Sequence, residues 1–166
     1  VSRNKALREA RGQWIAYLDS DDLWMPEKLE KQIRFMEANG YAFSYTNYEE
    51  IDVDGNKTGV KVSGPKRITK TGMFNYCWPG CLTVMFDHVQ LAMVQIHDIK
   101  KNNDYAMWLK ICKKANCYLL DEFLAQYRKG RTGSVSTHSI KTMIGWHYKL
   151  FHEAEDMGMI ESLYDT

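Results

Sequence analysis

The chain has 166 residues, 45% of them hydrophobic and 13% aromatic, enough for one domain with a sizeable core and too few for two comfortable ones. Twenty-two basic residues balance 21 acidic ones, leaving a net charge of +1, so the strongly basic face of a nucleic-acid binder is missing and no nucleic-acid partner is expected. No run approaches the roughly 18 consecutive apolar residues of a membrane span, and the polar, charged first residues do not read as a signal peptide.

The stretch "SRNKALREARG" predicts a short helix, with Ser2 as its cap, Ala6, Leu7 and Ala10 on one face, and Gly12 in the left-handed position past its end. "WIAYL", Trp14 to Leu18, is apolar without alternation, which predicts a strand covered on both faces as in a parallel sheet. It runs straight into Asp19, Asp21 and Asp22. "PEKLEKQIRFMEANG" predicts a second helix, opened by Pro26, directing Leu29, Ile33 and Met36 inward, and ended by Gly40. "YAFSYTNYEEI", the turn "DVDGN" and "KTGVKV" form a hairpin pattern. "CLTVMF" is a buried-strand candidate, and "NNDYAMWLKICKKAN" a helix with Tyr105, Trp108, Leu109 and Cys112 on one face. "CYLLDEFLAQYRKG" predicts one or two strands, and a last helix runs from about Lys141 towards Met157. Helices and strands intermingle, so the class is α/β with antiparallel pairing after Gly40.

Cys77, Cys81, Cys112 and Cys117 match neither a paired zinc motif nor a disulfide framework, and are expected to be buried, reduced thiols of a cytoplasmic protein. The sequon at Asn56 is then incidental. His147 and His152, five apart, do not share a helical face and make no metal pair.

The acidic cluster has two readings on spacing alone. Carboxylates crowded beyond a strand's carboxyl end repel, and a divalent cation relieves them; with few protein ligands, it would be Mg²⁺ or Mn²⁺ gripping a diphosphate. Alternatively, the cluster caps the helix after Pro26, whose N-terminus favours negative charge. A calcium loop is excluded, because Trp24 stands where that loop requires glycine.

"SRNKALREARGQWIAYLDSDDLWMPEKLEKQI" resembles the centre of the family-2 glycosyltransferases, inverting enzymes of GT-A-type fold, which carry an ARN…FLDxDDxWxPxL pattern. The likeness continues, in the family's order, through "SYTNYEEIDVDGN", "GCLTVMFD", "NDYAMWLKI" and "YRKGRTGSVS". The resemblance implies a GT-A-like mixed sheet flanked by helices, filling residues 1–166 as a single domain. The family begins with a further strand and roughly 60 to 80 residues that bind the nucleoside. The chain therefore reads as N-terminally truncated, a fragment of a longer enzyme or a shortened reading frame. A sheet edge left open in this way invites pairing with another chain, a route to a homo-oligomer.

Carried over residue by residue, the resemblance makes Asp19 and Asp21 the metal carboxylates on the donor diphosphate, with Asp21 the more direct ligand and Asp22 supporting the loop or the sugar. It places Arg3 and Asn4 near the nucleotide and brings Arg128, Arg131 or Ser134 to the phosphates, where a solvated basic turn is the plain alternative. Trp78, Gly80 and Cys81 fall on the acceptor side; Trp78 stacks on a sugar or packs in the core. Asp104 matches the general base, with Asn103 replacing the family's usual acidic neighbour. For that role the Asp104 helix must begin at the cleft lined by the acidic loop. The leading expectation is a metal-dependent transferase moving a sugar from a nucleoside diphosphate sugar to a saccharide or lipid-linked acceptor, cytoplasmic or at the inner membrane face with peripheral association, in cell-surface polysaccharide synthesis. The competing expectation is a non-catalytic homologue serving as a sugar-binding or assembly module.

Overall fold

The computed structural model describes residues 2–95, 99, 102–130, 140–155 and 158. Helix α1 (Ser2–Glu9) leads into β1 (Trp14–Ala16), the acidic turn, β2 (Leu23–Trp24) and α2 (Lys28–Asn39). Strands β3 (Phe43–Ile51), β4 (Lys57–Val62) and β5 (Arg67–Ile68) follow, then α3 (Lys70–Asn75), a 3₁₀ turn at Cys81–Thr83, β6 (Met85–Asp87) and α4 (His88–Leu91). Helix α5 (Asn103–Cys112), the long strand β7 (Cys117–Arg128) and α6 (Ile140–Lys149), continued by a π-helical turn over Leu150–Ala154, complete the order.

The strands form one mixed sheet in the order β1-β6-β3-β7-β2, with β4 beside β3 and β5 beside β7. Among the described residues only β3 and β7 run parallel; the other pairings are antiparallel. Alternation along β3 sorts the helices onto the two faces. Ser44 points to α2, where Gln32 Nε2 donates to its Oγ at 3.0 Å. Phe43 points the other way, its ring 5.8 Å from that of Trp108 on α5. Tyr17 reaches the same tryptophan at 5.9 Å. The α5 side is the hydrophobic core: Phe43, Tyr45, Phe86, Met107, Trp108 and Ile111 are all buried there, and α5 is apolar nearly all round because it sits inside.

The α/β class, the hairpin turned by "DVDGN" and the helix start near Asp104 appear as expected. Asp52 Oδ1 accepts from the Asp54 and Asn56 N–H groups, and Gly55 supplies the positive φ of the turn. Three details differ. Helix α1 ends at Glu9, so Gly12 needs no left-handed conformation and is not among the positive-φ glycines. Strand β1 is three residues long and antiparallel to β6, with Ile15 buried but Trp14 and Ala16 only half-buried and Leu18 45% exposed. It lies at one end of the sheet among the described residues, and Ile15, with Tyr17 just beyond it, packs on the core. Helix α2 buries Lys28, Gln32 and Met36 and leaves Leu29 44% exposed.

Burying Lys28 is possible because its ammonium is supplied with partners. Its Nζ donates to Gln32 Oε1 at 2.6 Å and lies 4.5 Å from the Trp24 ring centroid. Gln32 passes the order on, donating to Ser44 Oγ and the Thr83 carbonyl at 3.0 Å each. Burial without a carboxylate partner pulls the Lys28 pKa down to about 7. The folded state thus holds this proton less tightly than the unfolded chain does. The resulting penalty is complete below pH 7 and fades as pH rises towards the ordinary lysine value. Lys28→Met should therefore gain most on the wild type in urea unfolding near pH 6.5, and the gain should shrink steadily by pH 9.5. A difference that does not vary with pH would refute a neutral-leaning buried Lys28.

Candidate functional site

The acidic turn is built by backbone before side chains matter. The Asp22 N–H donates to the Asp19 carbonyl at 3.1 Å, closing a tight turn between β1 and β2. Pairing of β2 with β7 (Leu23↔Gln126, Trp24↔Ala125) then carries the end of β7 alongside it. Arg128, the last residue of β7, grips the turn. Its N–H donates to Asp22 Oδ1 at 2.9 Å and its Nε to the Asp21 carbonyl at 2.8 Å. Its Nη1 reaches the Asp52 and Val53 carbonyls at 2.8 and 3.0 Å. The guanidinium expected on a phosphate is occupied as a clamp between the acidic turn and the β3–β4 hairpin.

The three carboxylates have different surroundings. Asp22 is buried, and its pKa is pushed up to about 6 by burial, opposed by the Arg128 N–H and reinforced by Asp21 and Asp19. Asp21 is half-buried. Asp19, with its side chain 46% exposed, accepts from Arg3 Nη2 at 2.5 Å. Arg3 and Asp19 stand at the mouth of a cleft of about 570 Å³ that runs between α1 and β1 to Ser20. Asn4, the next residue of α1, is half-buried.

Asp104 occupies the first turn of α5, its Oδ1 accepting from the Tyr105 N–H at 2.9 Å. With Arg3, Tyr17 and Cys81 it lines a small cavity capped by Met107 and Trp108. Cys81 is the common neighbour. Burial pushes its thiol up to about 12, the nearby Asp104 charge pushes the same way, Arg3 opposes, and Asp19 and Asp22 add smaller contributions. Asp104 and the acidic turn, some 80 positions apart in sequence, thus meet at one place in the fold.

The segment carrying Trp78, Gly80 and Cys81 is held from beneath. Trp24 Nε1 donates to the Leu82 carbonyl at 2.7 Å, and the Gly80 carbonyl accepts from the Thr83 N–H at 2.9 Å and its hydroxyl at 2.7 Å. A methyl on Gly80 would press within 3.2 Å of Leu82 Cδ2. Trp78 is 42% exposed with its ring 4.6 Å from that of Tyr76, so it is a surface aromatic and not a core one. Arg131 and Ser134 lie outside the described residues. Sequence reasoning missed the supporting roles of Trp24, Lys28 and Gln32. The tryptophan following the aspartates was a usable signal, but a lysine and a glutamine on a helix carried none.

Among the described residues no group of three or more His, Cys, Asp or Glu side chains is arranged to hold a metal by itself. The donor set on the turn, half-exposed carboxylates at Asp19 and Asp21, instead suits a hard cation that keeps waters and completes its shell with substrate oxygens.

The profile "Glycosyl transferase family 2" matches residues 1–114. The chain belongs to the family-2 glycosyltransferases. It is 41% identical over 129 residues to the "Putative teichuronic acid biosynthesis glycosyltransferase TuaG" of Bacillus subtilis (strain 168), covering 77% of this chain and 51% of that protein. It is 39% identical over 143 residues to the UDP-Glc:alpha-D-GlcNAc-diphosphoundecaprenol beta-1,3-glucosyltransferase WfaP of Escherichia coli, covering 86% and 56% respectively. The chain therefore spans about half the length of these curated relatives. Among solved structures, S. aureus TarS 1-349 in complex with UDP-GlcNAc superposes with a TM-score of 0.67 at 16% identity, over 96% of this chain and 48% of that one. That likeness shows the fold, a GT-A-type mixed sheet flanked by helices.

If Arg128 is the clamp, Arg128→Lys keeps the charge but loses the Nε and Nη1 bonds together. The variant should be destabilised by about 1–3 kcal/mol in urea unfolding. Amide exchange should rise at Asp19–Asp22 and in the Asp52–Asn56 turn; a variant as stable and as protected as wild type would remove the clamp.

Proposed function

We propose that this chain carries the catalytic centre of a metal-dependent, inverting glycosyltransferase. The enzyme moves a sugar from a nucleoside diphosphate sugar to a saccharide or lipid-linked saccharide in cell-surface polysaccharide synthesis. The observation that carries this reading is the convergence of Asp104 with the acidic turn: Arg3 pairs with Asp19, and both Arg3 and Cys81 feel the charge of Asp104. The relatives named above agree in reaction class, one acting on a diphosphoundecaprenol-linked GlcNAc by its name.

In this reading Asp104 takes the proton of the acceptor hydroxyl, whose oxygen attacks the anomeric carbon from the face opposite the diphosphate. The carbon–oxygen bond to the diphosphate breaks, and one displacement gives an inverted linkage. Asp19 and Asp21 would hold Mn²⁺ or Mg²⁺, and the cation would supply charge neutralisation for the departing nucleoside diphosphate. Arg3 and Asn4 border the nucleotide side, where Arg3 supplies a positive charge for the donor phosphates. Arg128 serves the diphosphate indirectly, by fixing the turn. Arg131 and Ser134 remain candidates for direct phosphate contact, and Gly80 and Cys81 for the acceptor side. A lipid-linked acceptor would be met at the inner membrane face; no helix among the described residues is long and apolar enough to cross a membrane.

The test is the complete gene product incubated with Mn²⁺ and a panel of UDP- and GDP-sugars. Folded protein that neither transfers nor hydrolyses any donor would count against the reading. Asp104→Asn should lower turnover by roughly 10²–10⁴-fold with donor affinity nearly unchanged. Asp21→Asn should instead abolish the metal-dependent rate while the fold persists; full activity at saturating metal would exclude Asp21 as an essential ligand.

A further inference from the structure

Burying a lysine without a carboxylate costs stability, and an apolar residue of similar length would fill the place of Lys28 on α2 without that cost. The side chain is fully buried, and burial alone lowers its pKa to about 7. The charged groups on the elements around it are engaged elsewhere. Glu27 of the same helix and Glu122 of β7 both pair with Lys31, and Asp121 of β7 accepts from Asn47. On β3, Glu49 pairs with Lys57 and Lys61 and Glu50 with Lys129; ahead of β2, Asp22 accepts from the Arg128 N–H. The 3₁₀ turn at Cys81–Thr83 carries no acidic or basic residue. What the ammonium does meet is an amide and a ring, Gln32 Oε1 at 2.6 Å and the Trp24 centroid at 4.5 Å.

The first contact decides how Gln32 is used. The Ser44 hydroxyl can donate or accept, so it suits either orientation of the Gln32 amide. The ammonium can only donate, and it keeps Oε1 on its own side. Both Nε2 hydrogens are thereby turned to Ser44 Oγ and the Thr83 carbonyl, each at 3.0 Å. The Leu82 carbonyl accepts from Trp24 Nε1 at 2.7 Å, and Trp24 is the ring against which the ammonium lies. Two successive carbonyls of one turn are thus fixed by the two groups that Lys28 touches. Cys81, immediately before them, lines the small cavity with Arg3 and Asp104.

We propose that Lys28 is a positioning residue: through Gln32 and Trp24 its ammonium fixes the Gly80–Thr83 turn and so sets Cys81 between Arg3 and Asp104. What the placing of Arg3 and Asp104 serves rests on the glycosyltransferase reading; the hold on the turn does not. That hold is strongest with Lys28 charged. It slackens as pH rises through neutrality, because a neutral amine is a weaker donor and loses its attraction to the ring. Stability moves the other way, since the buried charge is the costly form. A residue retained only for packing would move both together.

Cys81 reports on the turn. The complete gene product and its variants are alkylated with N-ethylmaleimide at pH 6.5, each cysteine is followed by peptide mass spectrometry, and stability is measured in urea. Lys28→Met should be at least as stable as the wild type and yet label at Cys81 about tenfold faster, with Cys112 and Cys117 unchanged. Gln32→Glu still receives the ammonium but, as a carboxylate, cannot donate to the Thr83 carbonyl, and it should quicken Cys81 in the same way. In the wild type, the Cys81 rate corrected for thiolate fraction should climb between pH 6 and 8.5, whereas in Lys28→Met it should be flat. Failure of Lys28→Met to fold, unchanged labelling at its Cys81, a rise shared with Cys112 and Cys117, or a pH climb that survives the substitution would each overturn the proposal. With Mn²⁺ and the panel of UDP- and GDP-sugars, Lys28→Met should lower turnover several-fold with donor affinity nearly unchanged. Wild-type protein inactive on every donor, with Cys81 labelling as stated, would sink the transferase reading and support the hold of Lys28 on the turn.

Discussion

Two pairings of β7, antiparallel with β2 and parallel with β3, bring Arg128 between the acidic turn and the β3–β4 hairpin, and the arrangement of the candidate site depends on that delivery. Asp19, Asp21 and Asp22 repel one another wherever the backbone brings them together. The turn keeps its shape because Arg128 meets the Asp22 carboxylate and the Asp21 carbonyl at once, while its other end is anchored on the Asp52 and Val53 carbonyls. The register between the two strands slips twice, between Thr46 and Tyr48, so that Ile51 ends opposite Arg128. In the slip, Asn47 Nδ2 bonds to Asp121 Oδ1 at 2.7 Å. The irregular pairing sets how far along the sheet the guanidinium reaches.

The opposite face of the sheet contributes through polar burial. Lys28, Gln32 and Trp24 form a connected group between α2 and the segment at Leu82–Thr83, ending on two backbone carbonyls. An apolar helix face would pack as well, but it would leave the Thr83 carbonyl without its Gln32 donor in the interior. The group exchanges some stability for a fixed position of the Gly80–Thr83 turn, and with it of Cys81 between Arg3 and Asp104.

Much of this was legible in the sequence, for identifiable reasons. The hairpin was readable because "DVDGN" specifies its own turn, and α5 because its apolar residues are dense enough to survive any reading of period. The meeting of Asp104 with the acidic turn was expected only through the family resemblance, since neither spacing nor periodicity brings two segments so far apart in sequence together. What was hidden depends on partners distant in sequence. Leu29 and Ile33 outrank Lys28 and Gln32 by any hydrophobic pattern, and only the Thr83 carbonyl, the Ser44 hydroxyl and the Trp24 ring reverse that order. Arg128 reads in the sequence as a phosphate contact or a solvated basic turn, and neither reading contains the carbonyls at Asp52 and Val53 that its Nη1 meets. "WIAYL" reads as a strand covered on both faces, whereas Trp14 and Ala16 are only half-buried and Leu18 is exposed.

The four cysteines share a property with a practical side. Each thiol is free, and burial holds each pKa above its ordinary value. At neutral pH the thiolate, the reactive species, is therefore scarce at every native position, including Cys81 beside Asp104. A single cysteine introduced on the exposed surface, for instance in place of Ser20 at the mouth of the α1–β1 cleft, would outcompete all four for maleimide or iodoacetamide. The wild-type sequence thus serves directly as the background for attaching a fluorophore or spin label, without first replacing the buried Cys112 and Cys117 or the Cys77 and Cys81 that, against expectation, are only half-buried.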